Sequence, residues 1–266
     1  MRAAILTLAV LFLCAFTLAA QNLTIVSKVT RDSGTPETSA SYISPDHMRI
    51  AQPDGNDVIF DLASGDMTVV DGKKKTYYVV TRKDMDSMAA MMKERMNSPE
   101  MKQAQEQMKN LPPEMQERMK AAMGDMFSVE VKKTGESRTI AGYRCDEWTV
   151  TMGTISRSEQ CMTTAVKLPE QAWDSYRSYM ESLRSMMQAM GPMAKSMESM
   201  AEQMKKMKGL PLATTTTTNV MGRKSTTTSE VTSIKDGPIP ASAWDVPAGY
   251  KKVDSPMKKA MERQRS

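Results

Sequence analysis

Hydrophobic and polar positions follow two rhythms along the chain, and the changeovers divide it into blocks. From residue 22 to 81 apolar side chains come in short runs between turn signals. Leu23-Thr24-Ile25-Val26 opens the first run. Asp32-Ser33-Gly34-Thr35-Pro36, Ser44-Pro45-Asp46, Pro53-Asp54-Gly55-Asn56, Ser64-Gly65-Asp66 and Asp71-Gly72-Lys73 separate those that follow. Turns this close together, with no helical pattern between them, predict antiparallel neighbours. Val58, Phe60 and Leu62 fall on one face of their strand. Tyr77-Tyr78-Val79-Val80 is apolar on both faces, which predicts a strand covered on both sides.

The period lengthens between residues 83 and 126. Met85, Met88, Met92 and Met96 share a helix face. Ser98-Pro99-Glu100 reads as an N-cap with proline at the first helical position. Met101, Ala104, Met108 and Leu111 continue the seam until Pro112-Pro113 breaks it. Met115, Met119, Met123 and Met126 form a last stripe, so three short helices are expected. Strand rhythm returns at Phe127–Val131 and again at Arg138–Ala141. A hairpin follows, Tyr143–Met152 with Ser156–Val166, around Gly153. In its first arm Trp148, Val150 and Met152 lie on one face, and Tyr143 and Cys145 on the other.

The longest helical seam comes next. Tyr176, Tyr179, Leu183, Met186, Met190, Met193, Met197, Met200, Met204 and Met207 are spaced by threes and fours throughout. Pro169-Glu170 suits the start of this helix, Gly191-Pro192 a kink, and Gly209-Leu210-Pro211 its end. A final hairpin is expected from Leu212–Val220 and Lys224–Ile234, rich in β-branched threonine. Residues 255–266 are short and charged and are expected to fray. The pattern as a whole predicts one α+β domain over residues 21–254. Its sheet is curved, antiparallel and of about ten strands. Met-rich helices from the insertions 83–126 and 169–208 cover one side.

Composition adds an address. Arg2, the apolar run Ile5–Leu13 and Ala19-Ala20 have the layout of a signal peptide over residues 1–20. A periplasmic or secreted bacterial location follows as an expectation, with no transmembrane segment after cleavage. Cys14 leaves with the signal. Cys145 and Cys161 then meet an oxidising compartment, where an even count favours a disulfide over metal ligation. A hairpin centred on Gly153 sets Cys161 opposite Cys145. The formal charge of +5 is mild, and acids and bases interleave, so nucleic acid is not an expected partner.

Catalytic signals are sparse. Histidine occurs once, at His47 beside Pro45-Asp46, where it reads as a turn-exit residue. There is no P-loop and no glycine fingerprint after a strand. No enzyme and no cofactor is expected. Methionine is the anomaly, with 28 residues. Three readings stand side by side. Methionine at helical spacing can be plain core. It can line an adaptable apolar groove. It can also offer soft thioethers to Cu(I), since Met-x-x-Met recurs at Met85/Met88, Met123/Met126, Met187/Met190, Met197/Met200 and Met204/Met207. Oxidant scavenging through sulfoxide formation is linked to the last. The groove reading assigns ligand binding to Phe60, Tyr78 and Trp148 from the sheet and to Met92, Met119, Met123, Met186 and Met190 from the helices. A separate reading has the 176–207 seam pair with a partner's helix.

Several stretches carry a resemblance. They are Tyr42-Ile43-Ser44 to Arg49-Ile50, Ile59-Phe60-Asp61-Leu62, Lys75-Thr76-Tyr77, Ile140-Ala141-Gly142-Tyr143-Arg144-Cys145-Asp146-Glu147-Trp148, Cys161, and Pro247-Ala248-Gly249-Tyr250. Together they resemble a group of exported bacterial proteins known only as a domain of unknown function. The Gly-Tyr-x-Cys-x-x-Trp stretch is the most specific part. More remotely the layout is similar to periplasmic lipoprotein carriers of the LolA/LolB type. That resemblance implies an incomplete antiparallel barrel, closed on one side by helices around an apolar cavity. It also implies a hydrophobic ligand such as an acyl chain, a lipid or a lipoprotein segment. It transfers no named binding residue.

Overall fold

A computed structural model describes residues 22–116, 128–169, 172, 174, 202–220 and 222–265. The signal segment, the 117–127 part of the third methionine stripe and most of the 176–207 seam lie outside the described residues.

The first block folds as its turns dictate. β1 (Leu23–Arg31), β2 (Glu37–Ile43), β3 (His47–Ala51), β4 (Val58–Asp61), β5 (Asp66–Asp71) and β6 (Thr76–Val80) form an antiparallel meander. Thr81 then starts α1 (Arg82–Met96). Its hydroxyl accepts the Asp84 N–H at 3.1 Å, and the Asp84 carboxylate accepts the Thr81 N–H at 2.9 Å. This reciprocal pair satisfies donors that a helix start leaves orphaned. α2 (Pro99–Lys109) begins behind Ser98, whose hydroxyl accepts the Met101 N–H at 3.3 Å. Residues 113–116 are again helical, after the proline break.

The second block contributes β7 (Val129–Ile140), β8 (Tyr143–Met152), β9 (Ser156–Thr163), β10 (Leu210–Val220) and β11 (Arg223–Asp236). β7 and β8 are joined through Ala141-Gly142, with φ of 48° and 85°. Both values are left-handed, as a two-residue primed turn requires. The sheet order is β12-β6-β5-β4-β3-β2-β1-β11-β10-β9-β8-β7.

The sheet therefore has twelve strands rather than about ten. Two local differences separate the strands from the runs read in the sequence. Residues 129–131 and 138–140 of the two expected runs belong to one strand, β7, whose register shifts between Lys133 and Ser137 around Gly135 at φ 89°. The twelfth strand, β12 (Lys251–Lys252), is two residues long and pairs in parallel with β6. A parallel pair that short has no alternation to betray it.

The tail also differs from expectation. Residues 256–265 do not fray but form α3 (Pro256–Arg265). Ser255 accepts the Lys258 N–H at 3.0 Å, Pro256 takes the first helical position, and Met261 is buried. Capping chemistry and one apolar anchor, packed toward α1, outweigh the charge of the segment.

The main core gathers Leu23, Ile25, Ile43, Val231 and Leu212 with Ile140, Cys145, Cys161, Val166 and Ala172. Within it Cys145 and Cys161 are bonded, with Cα atoms 5.3 Å apart. The hairpin is centred on Thr154 rather than Gly153, so Cys161 faces Glu147 and not Cys145. The slip amounts to two residues. Because side chains alternate with a period of two, both sulfurs stay on one face and bond diagonally.

Curvature is visible in one ion pair. Arg138 on β7 holds Glu147 at 2.6 Å and reaches Glu230 on β11 at 3.7 Å. Four strand intervals of about 4.8 Å separate β7 from β11 in a flat sheet, roughly 19 Å. Two side chains bridge that gap only if the sheet curls toward the face they share with the disulfide.

A strap closes the other edge. After β11 a 3-10 turn, Ala241–Trp244, passes over β3. Trp244 stacks on His47 with ring centroids 5.3 Å apart. Arg49 gives Nε and Nη2 to one oxygen of the buried Asp57 carboxylate, and Nη1 to the carbonyls of Ala243 at 2.8 Å and Asp245 at 3.2 Å. The other Asp57 oxygen accepts the Gln52 N–H at 3.0 Å. The chain then runs along β6, where the Lys251 and Val253 N–H groups donate to the carbonyls of Lys75 and Tyr77.

Candidate functional site

β8 positions the side chains of one pocket. Alternation sends Arg144, Asp146 and Trp148 to one face, while Cys145 and Glu147 take the other. The disulfide therefore pins the strand from behind. Met162 lies opposite Asp146 across the β8–β9 pairing. The chain turns at Thr163, Thr164 and Ala165, where the buried Thr163 hydroxyl donates to the Arg144 carbonyl at 2.7 Å and accepts the Ala165 N–H at 3.2 Å. Against this turn comes the segment ending in Lys206 and Lys208. Gly209 makes that approach possible. Its φ is 97°, and a Cβ there would collide with the Thr163 carbonyl oxygen.

Arg144, Asp146, Trp148, Met162, Thr163, Thr164, Ala165, Lys206 and Lys208 thus line a half-open cleft of about 370 Å³. Its electrostatics are lopsided. Among the described residues Asp146 is the one carboxylate of the lining, and Lys133 takes it at 2.7 Å. The hydrogen bond from Lys133 holds the Asp146 carboxyl below its ordinary value, with the nearby Lys133 and Arg144 charges adding to it. Lys133 also stands over the Trp148 ring, 5.9 Å from its centroid. Lys205 is neutralised by Glu202 at 2.6 Å, whereas among the described residues Lys206 bonds the neutral Gln203 amide. Among the described residues no carboxylate lies within ion-pair range of Arg144, Lys206 or Lys208.

Of the residues that the sequence nominated, Trp148 lines this pocket. Phe60 and Tyr78 share its face. Register carries that face from Trp148 through Gln160, Thr214 and Ser229 to Val29 on β1, and from Ile25 on the same strand through Ser41, Ile50, Val58 and Val69 to Tyr78. Six strands stand between Phe60 and Trp148 in the sheet order, and eight between Tyr78 and Trp148. The three aromatics therefore do not converge. Phe60 and Tyr78 instead belong to a second apolar area. There Met48, Ile50, Val58, Phe60, Met67, Val69 and Tyr78 lie on one face of β3–β6, each half-buried. Met92 is half-buried on α1. Met119, Met123, Met186 and Met190 lie outside the described residues.

Sequence reasoning missed Arg144, Lys206 and Lys208. Arg144 sits inside the Gly-Tyr-x-Cys-x-x-Trp stretch, which was a signal. Lys206 and Lys208 looked like a helix end, and nothing local ties them to β8. His47 is held by its stack on Trp244, with Nδ1 3.6 Å from an Asp46 carboxylate oxygen. Among the described residues no three His, Cys, Asp or Glu side chains are grouped to hold a metal. None of the described helices is long and apolar enough to cross a membrane.

A family model described as a domain of unknown function, DUF4412, matches residues 47–250. The chain belongs to the DUF4412 family. This range takes in the meander from β3 onward, the pocket and the strap up to Tyr250. No curated protein matches the DUF4412 chain. Among solved structures it is similar to PNGF-II, at 11% identity and a TM-score of 0.39, covering 91% of this chain and 32% of that one. It is similar to MucB in complex with MucA(peri), at 12% identity and a TM-score of 0.39, covering 88% of this chain and 57% of MucB. A LolA superfamily protein from Nitrosomonas europaea is a remote likeness, at 6% identity and a TM-score of 0.23, covering 86% and 91%. The DUF4412 chain thus spans about a third of PNGF-II and just over half of MucB.

Proposed function

We propose that this DUF4412 protein is a non-catalytic binding protein of the bacterial envelope. Its ligand is apolar, an acyl chain, a lipid or a lipoprotein segment, held between the sheet and the methionine-rich helices. The observation that carries this reading is the half-buried apolar face of β3–β6, centred on Phe60 and Tyr78. A continuous apolar surface that a fold leaves partly open commonly marks a contact site. Methionine on the neighbouring helix α1, including Met92, supplies side chains that adapt to varied apolar shapes. The bonded Cys145–Cys161 pair supports an oxidising location outside the cytoplasm.

The test is direct. Natively purified protein is extracted into organic solvent and the extract examined by mass spectrometry, alongside titration with an environment-sensitive apolar dye. A co-purifying lipid and a displaceable dye are expected, and Phe60→Ser with Tyr78→Ser should weaken dye binding. Lipid-free protein that also ignores the dye sinks the reading.

A further inference from the structure

We propose that the Trp148 pocket is an anion site for a phosphate group, with Arg144, Lys206 and Lys208 around the charge and the organic part of the ligand on the Trp148 ring. The inference does not rest on the apolar-ligand reading, because six strands stand between the pocket's strand β8 and Phe60.

Three features support it. The first is unspent charge. Arg144, Lys206 and Lys208 converge without a carboxylate partner among the described residues, and the one acid present, Asp146, is already held by Lys133. Like charges brought together repel, so the arrangement costs free energy that a bound anion recovers. The second is built geometry. Arg144 and the two lysines come from segments far apart in sequence. Gly209 lies tight on Thr163, the Thr163 hydroxyl ties Arg144's carbonyl, and the disulfide fixes β8 from behind. A merely solvated charged face needs none of these. The third is chemical mixture. A planar guanidinium presents a fork to phosphate oxygens, and lysines supply mobile point charges. Trp148 and Met162 offer an apolar floor for a carbon skeleton. About 370 Å³ suits a small organic phosphate or a single lipid headgroup, and not a polymer.

The test uses the mature protein and three probes: inorganic phosphate, sn-glycerol 3-phosphate, and vesicles of phosphatidylglycerol against phosphatidylcholine. Calorimetry reads the soluble ligands and co-sedimentation reads the vesicles. Binding that weakens with salt is expected. Each of Arg144→Gln, Lys206→Gln and Lys208→Gln should lower affinity about tenfold, the scale of one charge-assisted hydrogen bond. Trp148→Leu should bring glycerol phosphate down to the affinity of inorganic phosphate. Binding of soluble phosphates assigns a free metabolite-sized ligand. Binding confined to phosphatidylglycerol vesicles, and lost in the triple glutamine variant, assigns a headgroup. No binding to any probe, or equal binding by the triple variant with its melting temperature intact, overturns the proposal.

Discussion

Arg49 and Arg144 each stand near a tryptophan on the same sheet, yet they do opposite things. Arg49 is largely covered and spent. Every nitrogen of its guanidinium has a partner, Asp57 on one side and the carbonyls of the strap on the other. Arg144 is exposed, and neither it nor the two lysines of its pocket has a carboxylate partner among the described residues. The contrast shows how to tell a structural cation from a functional one. The measure is whether the fold has already supplied the counter-charge.

The largest effect should come from breaking the spent side. Asp57→Ala leaves the Arg49 charge buried without its counter-ion and should cost about 3–5 kcal/mol, read as a fall in urea midpoint. An unchanged midpoint would remove the latch from the account. Next in size is the disulfide behind the pocket. Cys145→Ser with Cys161→Ser should cost about 3 kcal/mol by the chain-entropy model. The same pair should also loosen the phosphate site, which links the two regions through β8. Removal of the α1 cap by Thr81→Ala comes third, at about 1 kcal/mol in chemical denaturation. On the unspent side, Lys208→Gln should change stability by less than about 0.5 kcal/mol while still affecting anion binding. A large loss of stability there would mean that the pocket lysine is structural after all.

The smallest effect is one of pH. The Ser64 N–H at 3.0 Å holds the Asp61 carboxyl below its ordinary value, assisted by the Ser64 hydroxyl and the Ala63 N–H at 2.9 Å and opposed by partial burial. A depressed folded value means that this stability is present above the unfolded pKa and is lost as pH falls through the folded one. Asp61→Asn should therefore flatten the acid limb of the melting-temperature profile and leave the neutral region nearly level.

What was legible in the sequence divides by range. The meander could be read because Gly, Pro and Asp mark each of its turns locally. The Ser98-Pro99 helix start could be read for the same reason. The disulfide survived a register error because an even slip preserves the face. Invisible features are those made by distant segments meeting. β12 carries no rhythm of its own and exists because the strap brings it to β6. The β7 irregularity looked like a turn because glycine serves both purposes. The phosphate pocket needs Lys208 beside Thr163, a contact fixed by a backbone approach at Gly209 and not by any periodic pattern. Aromatic residues on a common face were found, but a common face on a twelve-strand sheet is not a common site.

The pairing of β1 with β11 joins atoms such as the Val26 carbonyl and the Thr232 hydroxyl, 206 residues apart in sequence. A chain made from its N-terminus must therefore hold the first strand half-paired until nearly all the rest has been delivered. The β6 edge waits longer still, because Lys251-Lys252 arrive after β11. Until then each emerging molecule presents two bare ladders to its neighbours. Crowding during biogenesis is thus a hazard that this strand order carries.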